Sequence, residues 1–278
     1  MQEWGQPRWR FCTNNIFGMT FFQIWIRALA VIMTMMTLLW IVSAVIRNVS
    51  IVDLFWGFGF VIVAWFYFLN GEGNEIRKII LSSLVTIWGL RLSLYLAWRN
   101  RGKGEDFRYR QFRKNYGEKR YWWISFFQTF LLQGLLMWLI SAPLLGAQYS
   151  GGDRSVNVLD ITGIFFWITG FVFEAGGDWQ LKTFKADPGN KGKVLDTGFW
   201  RYTRHPNYFG DSSVWWGFGF ICLAAGSWLP VMGSVLMTLL IIKVSGLSLL
   251  EKSLKEQKPQ YRDYIEKTSA FIPWFPKK

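Results

Sequence analysis

The chain has 278 residues, a formal charge of +13 and 51% hydrophobic residues, among them 18 Trp and 25 Phe. The apolar residues fall in runs near the roughly 20 that cross a bilayer as a helix, and the positive charge sits between those runs, so nucleic-acid binding is set aside. A lone histidine excludes a multi-His metal site, and Cys12 and Cys222, far apart and in no CxxC, indicate neither a disulfide nor a thiolate metal site.

The pattern predicts an all-α, polytopic integral membrane protein forming one domain over 1–278. Seven transmembrane helices are expected at roughly 22–46, 51–70, 78–98, 123–147, 157–181, 208–226 and 228–250. The stretch Met1 to Asn15 is polar and lacks the short apolar core of a cleavable signal. Spans six and seven are expected to turn tightly at Gly226-Ser227, and no internal repeat is visible. The segments Arg99 to Arg120 and Lys182 to Arg204 are strongly basic, as is the C-terminal tail, whereas 71–77 and 148–156 carry little net charge. The positive-inside rule then puts the N-terminus outside and the C-terminus in the cytoplasm, in a bacterial inner membrane or the endoplasmic reticulum.

With that orientation Asp53, Arg91, Glu174, Asp178, Asp211 and Glu251 lie at one membrane level, contributed by five helices. Ionisable groups in spans face a wet cavity or each other, so a pocket open to the cytoplasm is expected; the alternative is a set of charges that snorkel to water. Asp53 has apolar or small neighbours from Ile51 to Gly57. As a protonated acid it could donate a hydrogen bond to a ketone oxygen, or it could instead cap the start of span two. Arg91 and Tyr95 share a face of span three, and Asn100-Arg101-Gly102-Lys103 leaves it as a turn suited to a phosphate. Asp106, Arg108 and Tyr109 follow in a segment that mixes acceptors, a guanidinium and an aromatic ring. Glu174 and Asp178 share a face of span five, and Lys182 continues the stripe. They read either as a salt-bridged helix end or as acceptors for ribose hydroxyls or an amide.

The densest stretch is Gly198 to Asp211, which holds Arg201, Tyr202, Arg204 and the single histidine, His205, before Pro206 opens an apolar run. A basic, aromatic loop at the mouth of a hydrophobic helix can grip an anionic, planar molecule, or anchor on lipid head groups. Gly57-Phe58-Gly59 and Gly102-Lys103-Gly104 follow no strand and lack the third glycine of a Rossmann fingerprint, so any nucleotide must be held by helix ends and loops.

Tyr-x-Arg-His-Pro-Asn-Tyr-Phe-Gly-Asp at 202–211, Ser-x-x-Asp-x-x-Trp-Gly at 50–57, Trp88-Gly89-Leu90-Arg91 leading to Asn100-Arg101, and Glu-Asp-x-Arg-Tyr at 105–109 resemble the membrane reductases related to the steroid 5α-reductases. The resemblance covers most of the chain. It implies seven helices, NADPH in a cytoplasm-facing cavity, and reduction of a carbon–carbon double bond conjugated to a ketone. By position it implies that Asn100, Arg101, Asp178, Lys185, Asn207, Tyr208 and Asp211 bind the cofactor, and that Asp53 falls near the acid that contacts the substrate ketone. Val52 stands where the animal steroid enzymes have Gln, and Asp53 is shorter than their Glu, which weakens steroid as the preferred substrate. Arg204-His205-Pro206-x-Tyr208-x-Gly210, with Glu251-x-x-Leu254, also resembles the isoprenylcysteine carboxyl methyltransferases, over less of the chain.

The expected activity is therefore NADPH-dependent reduction of a steroid-like or isoprenoid enone drawn from the bilayer, with Asp53 and Tyr95 stabilising charge on the ketone oxygen. Arg and Lys at 99–103, Lys185 and 201–204 would grip the phosphates. The alternative is S-adenosylmethionine-dependent methyl transfer to a prenylated or lipid acceptor.

Overall fold

The computed structural model describes residues 19–149, 155–243 and 260–277. These form eleven α-helices joined by turns, with no strand among the described residues. Helix α1 (Phe21–Ile46) starts at a capping box in which Thr20 and Gln23 satisfy each other's backbone N–H groups. Helices α2 (Ile51–Asn70) and α3 (Glu75–Asn100) form a hairpin. The short α4 (Phe107–Tyr116) follows. Then α5 (Glu118–Ser125), α6 (Leu132–Ile140) and α7 (Ala142–Tyr149) run on as one rod, widened by a π turn at Phe126–Leu131. Helix α8 (Val158–Ala186) opens with an Asn157–Asp160 capping box. Helix α9 (Pro206–Ala224) has Pro206 in its first turn, where no N–H partner is lost. Helices α10 (Met232–Lys243) and α11 (Gln260–Lys267) complete the described chain.

Among the described residues, five segments are long and apolar enough to cross a membrane: α1, α2, α3, the α5–α7 rod and α8. The protein is a multi-pass membrane protein, but the expected count of seven is not reached by length and composition. Helix α9, the expected sixth span, has 19 residues and is buried nearly all round, with Gly, Ser and Trp on its packing faces. It faces protein, so its sequence does not carry the lipid-facing apolar residues that mark α1, where Leu38, Val42 and Val45 are exposed. Helix α10 is short in its described part, and the rest of the expected seventh span lies outside the described residues.

The helices α8 and α9 approach closely because glycines line both sides of their contact. Gly163, Gly170 and Gly177 recur every seven residues on α8 and meet Gly217, Gly210 and Pro206 of α9 in antiparallel order. A methyl group at Gly210 would lie 2.4 Å from the Glu174 amide nitrogen and 2.5 Å from the Gly170 carbonyl oxygen. Small residues at such spacing let backbones touch, the usual source of helix affinity in a membrane. Gly57 of α2 and Gly89 of α3 make a similar contact. The aromatic core sits beside these seams: Phe60, Trp88 and Trp215 pack with Phe60–Trp215 and Trp88–Trp215 centroids 4.7 and 5.7 Å apart.

Both ends of the bundle are stapled. At one end Arg77 at the start of α3 pairs with Asp160 at the start of α8 at 2.7 Å, almost fully buried, and Gln148 of α7 accepts from the Gly73 amide. The opposite end carries the polar groups described below. Gly210→Ala should force α8 and α9 apart and cost about 1–3 kcal/mol, as overpacking does. Gly104→Ala, where an added methyl meets nothing within 4 Å, should leave stability unchanged. Thermal unfolding in detergent reads both, and equal midpoints for the two variants would show that the seam tolerates a side chain.

Candidate functional site

The glycine seam sets the first cluster. Glu174 and Asp178 project from α8 toward α3, where Arg91 donates to Glu174 Oε1 and Asp178 Oδ2, both at 2.7 Å. The Trp88 indole donates to the second Glu174 oxygen at 2.9 Å, and Asn207 of α9 donates to Asp178 Oδ1 at 3.3 Å. The cation between the two acids is thus Arg91 and not Lys182, which sits 3.2 Å from the Trp98 ring centroid. Arg91, expected to face a cofactor, is taken up by the two carboxylates. Asp211 of α9 is a third buried acid in reach of the same charges, and its Oδ1 has no hydrogen-bond partner. Three carboxyl groups around one guanidinium leave room for a further proton-bearing or cationic group.

The second cluster joins two blocks that are far apart in sequence. Asp53, at the start of α2, accepts from Arg108 at 2.9 Å and from the Tyr109 hydroxyl at 2.7 Å. Asp106 caps α4 by accepting from the Arg108 amide and guanidinium, both at 3.0 Å. Its own amide donates to Ser50 Oγ at 3.2 Å. Glu105 accepts from the Val49 amide at 2.8 Å and from Arg113 at 2.8 and 3.0 Å. The capping alternative for Asp53 is not seen: its oxygens accept from a guanidinium and a phenol rather than from the backbone at the start of α2. Arg108 and Tyr109 were not visible as partners of Asp53 because α4 folds back over the α1–α2 turn.

Electrostatics follow from this packing. Burial opposes the charged form of Asp106, and the hydrogen bonds and charge of Arg108 outweigh it, holding the carboxyl below its usual range. Burial and then the Asp53 charge push the Tyr109 phenol up, so it keeps its proton through the neutral range. Gln133 of α6, which sequence reading missed, donates to the Tyr109 oxygen at 3.4 Å. A Gln in an apolar span was its only signal.

Between the two clusters the ends of α3 and α8 and the start of α9 converge, at what would be the mouth of a site. The Tyr95 hydroxyl reaches the Asp178 carbonyl at 3.4 Å, and the charges of Arg108, Asp178, Arg99 and Asp211 all act on Tyr208. Arg99 stacks over Tyr95 and bonds Asn100, and Gly102 turns the chain with φ 74°. Arg99, Arg101 and Lys103 make no ion pair among the described residues.

The 198–205 loop is split between roles. Arg204 is buried and donates to the Ile265 and Thr268 carbonyls, so it fastens α11 and the following segment, contrary to the expected phosphate contact. Tyr202 accepts from the Trp274 amide and packs its ring against Phe275, also away from the mouth. Arg201 is exposed. His205 is buried and stacks on Tyr208 with centroids 5.5 Å apart, which links the mouth to a separate cavity of about 540 Å³. That cavity is lined by Lys185, Lys191, Lys193, Trp200, His205 and Tyr264, among others. Glu251 lies outside the described residues.

Over 261 aligned residues the chain is 29% identical to an uncharacterised protein of Schizosaccharomyces pombe, covering 84% of this chain and 75% of that protein. Over 73 residues it is 34% identical to a probable O-methyltransferase of Ustilaginoidea virens, covering 26% of each chain. No solved structure matches it significantly. The profile of a family described as proteins of unknown function, DUF1295, matches residues 39–268, most of the chain, and the protein belongs to that family.

Proposed function

We propose that this is a membrane-embedded, NADPH-dependent reductase of a steroid-like or isoprenoid enone. The observation that carries the reading is the sorting of the cations. Arg91, Arg108, Arg113 and Arg204 are taken up by protein groups, whereas the exposed Arg99, Arg101 and Lys103 follow one another at the end of α3, Arg99 over the Tyr95 ring, and make no ion pair among the described residues. Three such cations at a helix end suit a pyrophosphate and a 2′-phosphate. S-adenosylmethionine carries no phosphate.

The buried acids do not choose between cofactors. Glu174, Asp178 and Asp211 would favour a positively charged nicotinamide, and equally a sulfonium. The short match to a probable O-methyltransferase keeps methyl transfer as the second reading.

NADPH, when bound, would supply a hydride to the β carbon of the enone, and water or an acid would protonate the α carbon. The chain's residues bind and orient. Asp178 and Asn207 offer an acceptor and a donor suited to a carboxamide. Negative charge develops on the ketone oxygen, and Tyr109 is the fitting donor there because burial and Asp53 keep its proton in place. A ketone entering beside Tyr109 would take over the hydrogen bond now made to Asp53, while Arg108 continues to neutralise that carboxylate. Tyr95 remains a second donor at the rim.

The basic loops are proposed to face the cytoplasm, with α2 and α8 starting on opposite sides of the membrane. In a background without Cys12 and Cys222, cysteine at exposed position 110 should react with an impermeant reagent only from the cytoplasmic side, and cysteine at exposed position 72 only from outside. Labelling of both from one side would overturn the arrangement.

Turnover of a 3-oxo-Δ4 steroid tests the donor. Tyr109→Phe should lower kcat by about 10²–10³-fold, as loss of one oxyanion donor does, with NADPH affinity retained. Near-normal turnover would leave the Asp53–Arg108–Tyr109 group as a clamp only. Calorimetric titration with NADPH, NADH and S-adenosylmethionine tests the cofactor. NADPH should bind most tightly, and Arg101→Ala should weaken it about tenfold, near 1.4 kcal/mol, without changing NADH. Tight S-adenosylmethionine binding with no response to NADPH would transfer the assignment to a methyltransferase.

A further inference from the structure

A second polar cavity of about 500 Å³ lies away from the mouth, between the end of α1 and the α4–α5 turn. Arg47, Arg113, Glu118, Lys119, Tyr121 and Trp122 line it. Arg113 is committed to Glu105, and its guanidinium lies 4.9 Å from the Tyr121 ring centroid, so it builds the wall. Arg47 and Lys119 are exposed and make no ion pair among the described residues.

Two observations point to a ligand. Tyr121 is fully buried, and its hydroxyl makes no well-formed hydrogen bond. Arg47 is the one non-glycine residue among those described with a positive φ, 53°. Glycine or Asn usually takes that place after a helix. A long cation held there against its backbone preference fits a position kept for what its side chain does.

The surroundings identify the kind of ligand. Trp40 stacks on Trp122 at 5.9 Å and donates its indole N–H to the Trp122 carbonyl at 2.7 Å, the placement of tryptophans at a membrane interface. Val45, Ile46, Trp123 and Phe127 are exposed around it, as surfaces for acyl chains. Arg47 and Lys119 supply charge for a phosphate and Tyr121 a spare donor, while Glu118 in the same wall supplies an acceptor for an ammonium. We propose that this cavity binds the head group of a phospholipid that carries both a phosphate and a primary amine, a phosphatidylethanolamine-type lipid. The site is separate from the proposed reaction and does not depend on it.

The test is the thermal midpoint of the purified full-length protein in detergent, with added phosphatidylethanolamine, phosphatidylcholine, phosphatidylglycerol or soluble phosphoethanolamine. Phosphatidylethanolamine should raise the midpoint by about 2–4 °C more than the other two lipids, the shift that 1 kcal/mol gives in a chain near this size. Arg47→Gln with Lys119→Gln should abolish that rise, and the midpoint of the lipid-free variant shows whether it is folded. Glu118→Gln should leave phosphatidylethanolamine and phosphatidylglycerol equally effective. Retention of the full rise in the double variant, or equal response of the native chain to all three lipids, would overturn the proposal. An equal response to soluble phosphoethanolamine would assign the cavity to a free metabolite and overturn the lipid.

Discussion

The approach of α8 to α9 is the constraint on which the polar interior depends. Two helices in contact through glycine backbones bring every side chain beside the seam closer than a leucine interface would. Gly210 lies against the Glu174 amide, so the neighbouring Asp211 is held within reach of the Glu174 charge. Buried acids that close are tolerable only with a cation between them, and Arg91 from α3 is that cation. Removing one member of such a buried pair usually costs about 3–5 kcal/mol, because it leaves the remaining charge buried and unpaired. The seam, the Arg91 knot and the indole of Trp88 are one assembly: the indole packs on Trp215 of α9 while donating to Glu174 of α8.

A second assembly holds the mouth's opposite wall. Ser50 and Asp53 on the α2 start pair with Asp106, Arg108 and Tyr109, and Glu105 reaches the Val49 amide. This fixes α4 over the α1–α2 turn and leaves the stretch from Arg99 to Lys103 spanning between two anchored points. Arg99 lies over Tyr95, and none of the three cations there makes an ion pair among the described residues. Exposed charges without protein partners are free to meet a polyanion, which is why they bear on the choice of cofactor more than the total charge of the chain does.

The proposed chemistry and the proposed lipid site draw on the same physical rule applied at two places. Cations that already have protein partners shape walls, as Arg113 does against Tyr121 and Arg204 does under α11. Cations without them face outward from those walls. The 198–205 loop shows the cost of reading charge without this distinction, since Arg204 holds backbone carbonyls while His205, stacked on Tyr208, stands at the boundary of the mouth and the neighbouring cavity.

Composition and periodicity alone determined that the chain is helical and embedded in a membrane, because lipid permits few ways of satisfying a backbone. Span two was legible to the residue, at Ile51–Asn70, and Glu174 with Asp178 on one face follows from helical spacing. The Gly102 turn after span three was likewise local. That α9, read as a span, faces mostly protein was not, because burial on several faces depends on the helices packed around it. Nor was the fate of each charge. Whether Asp53 meets Tyr109, or Arg91 meets Glu174, depends on residues some 56 and 83 positions away. Local sequence sets which groups are available and on which face they stand. Only the packing of the helices decides which of them neutralise one another, because that depends on separations of a few ångströms between elements far apart in the chain.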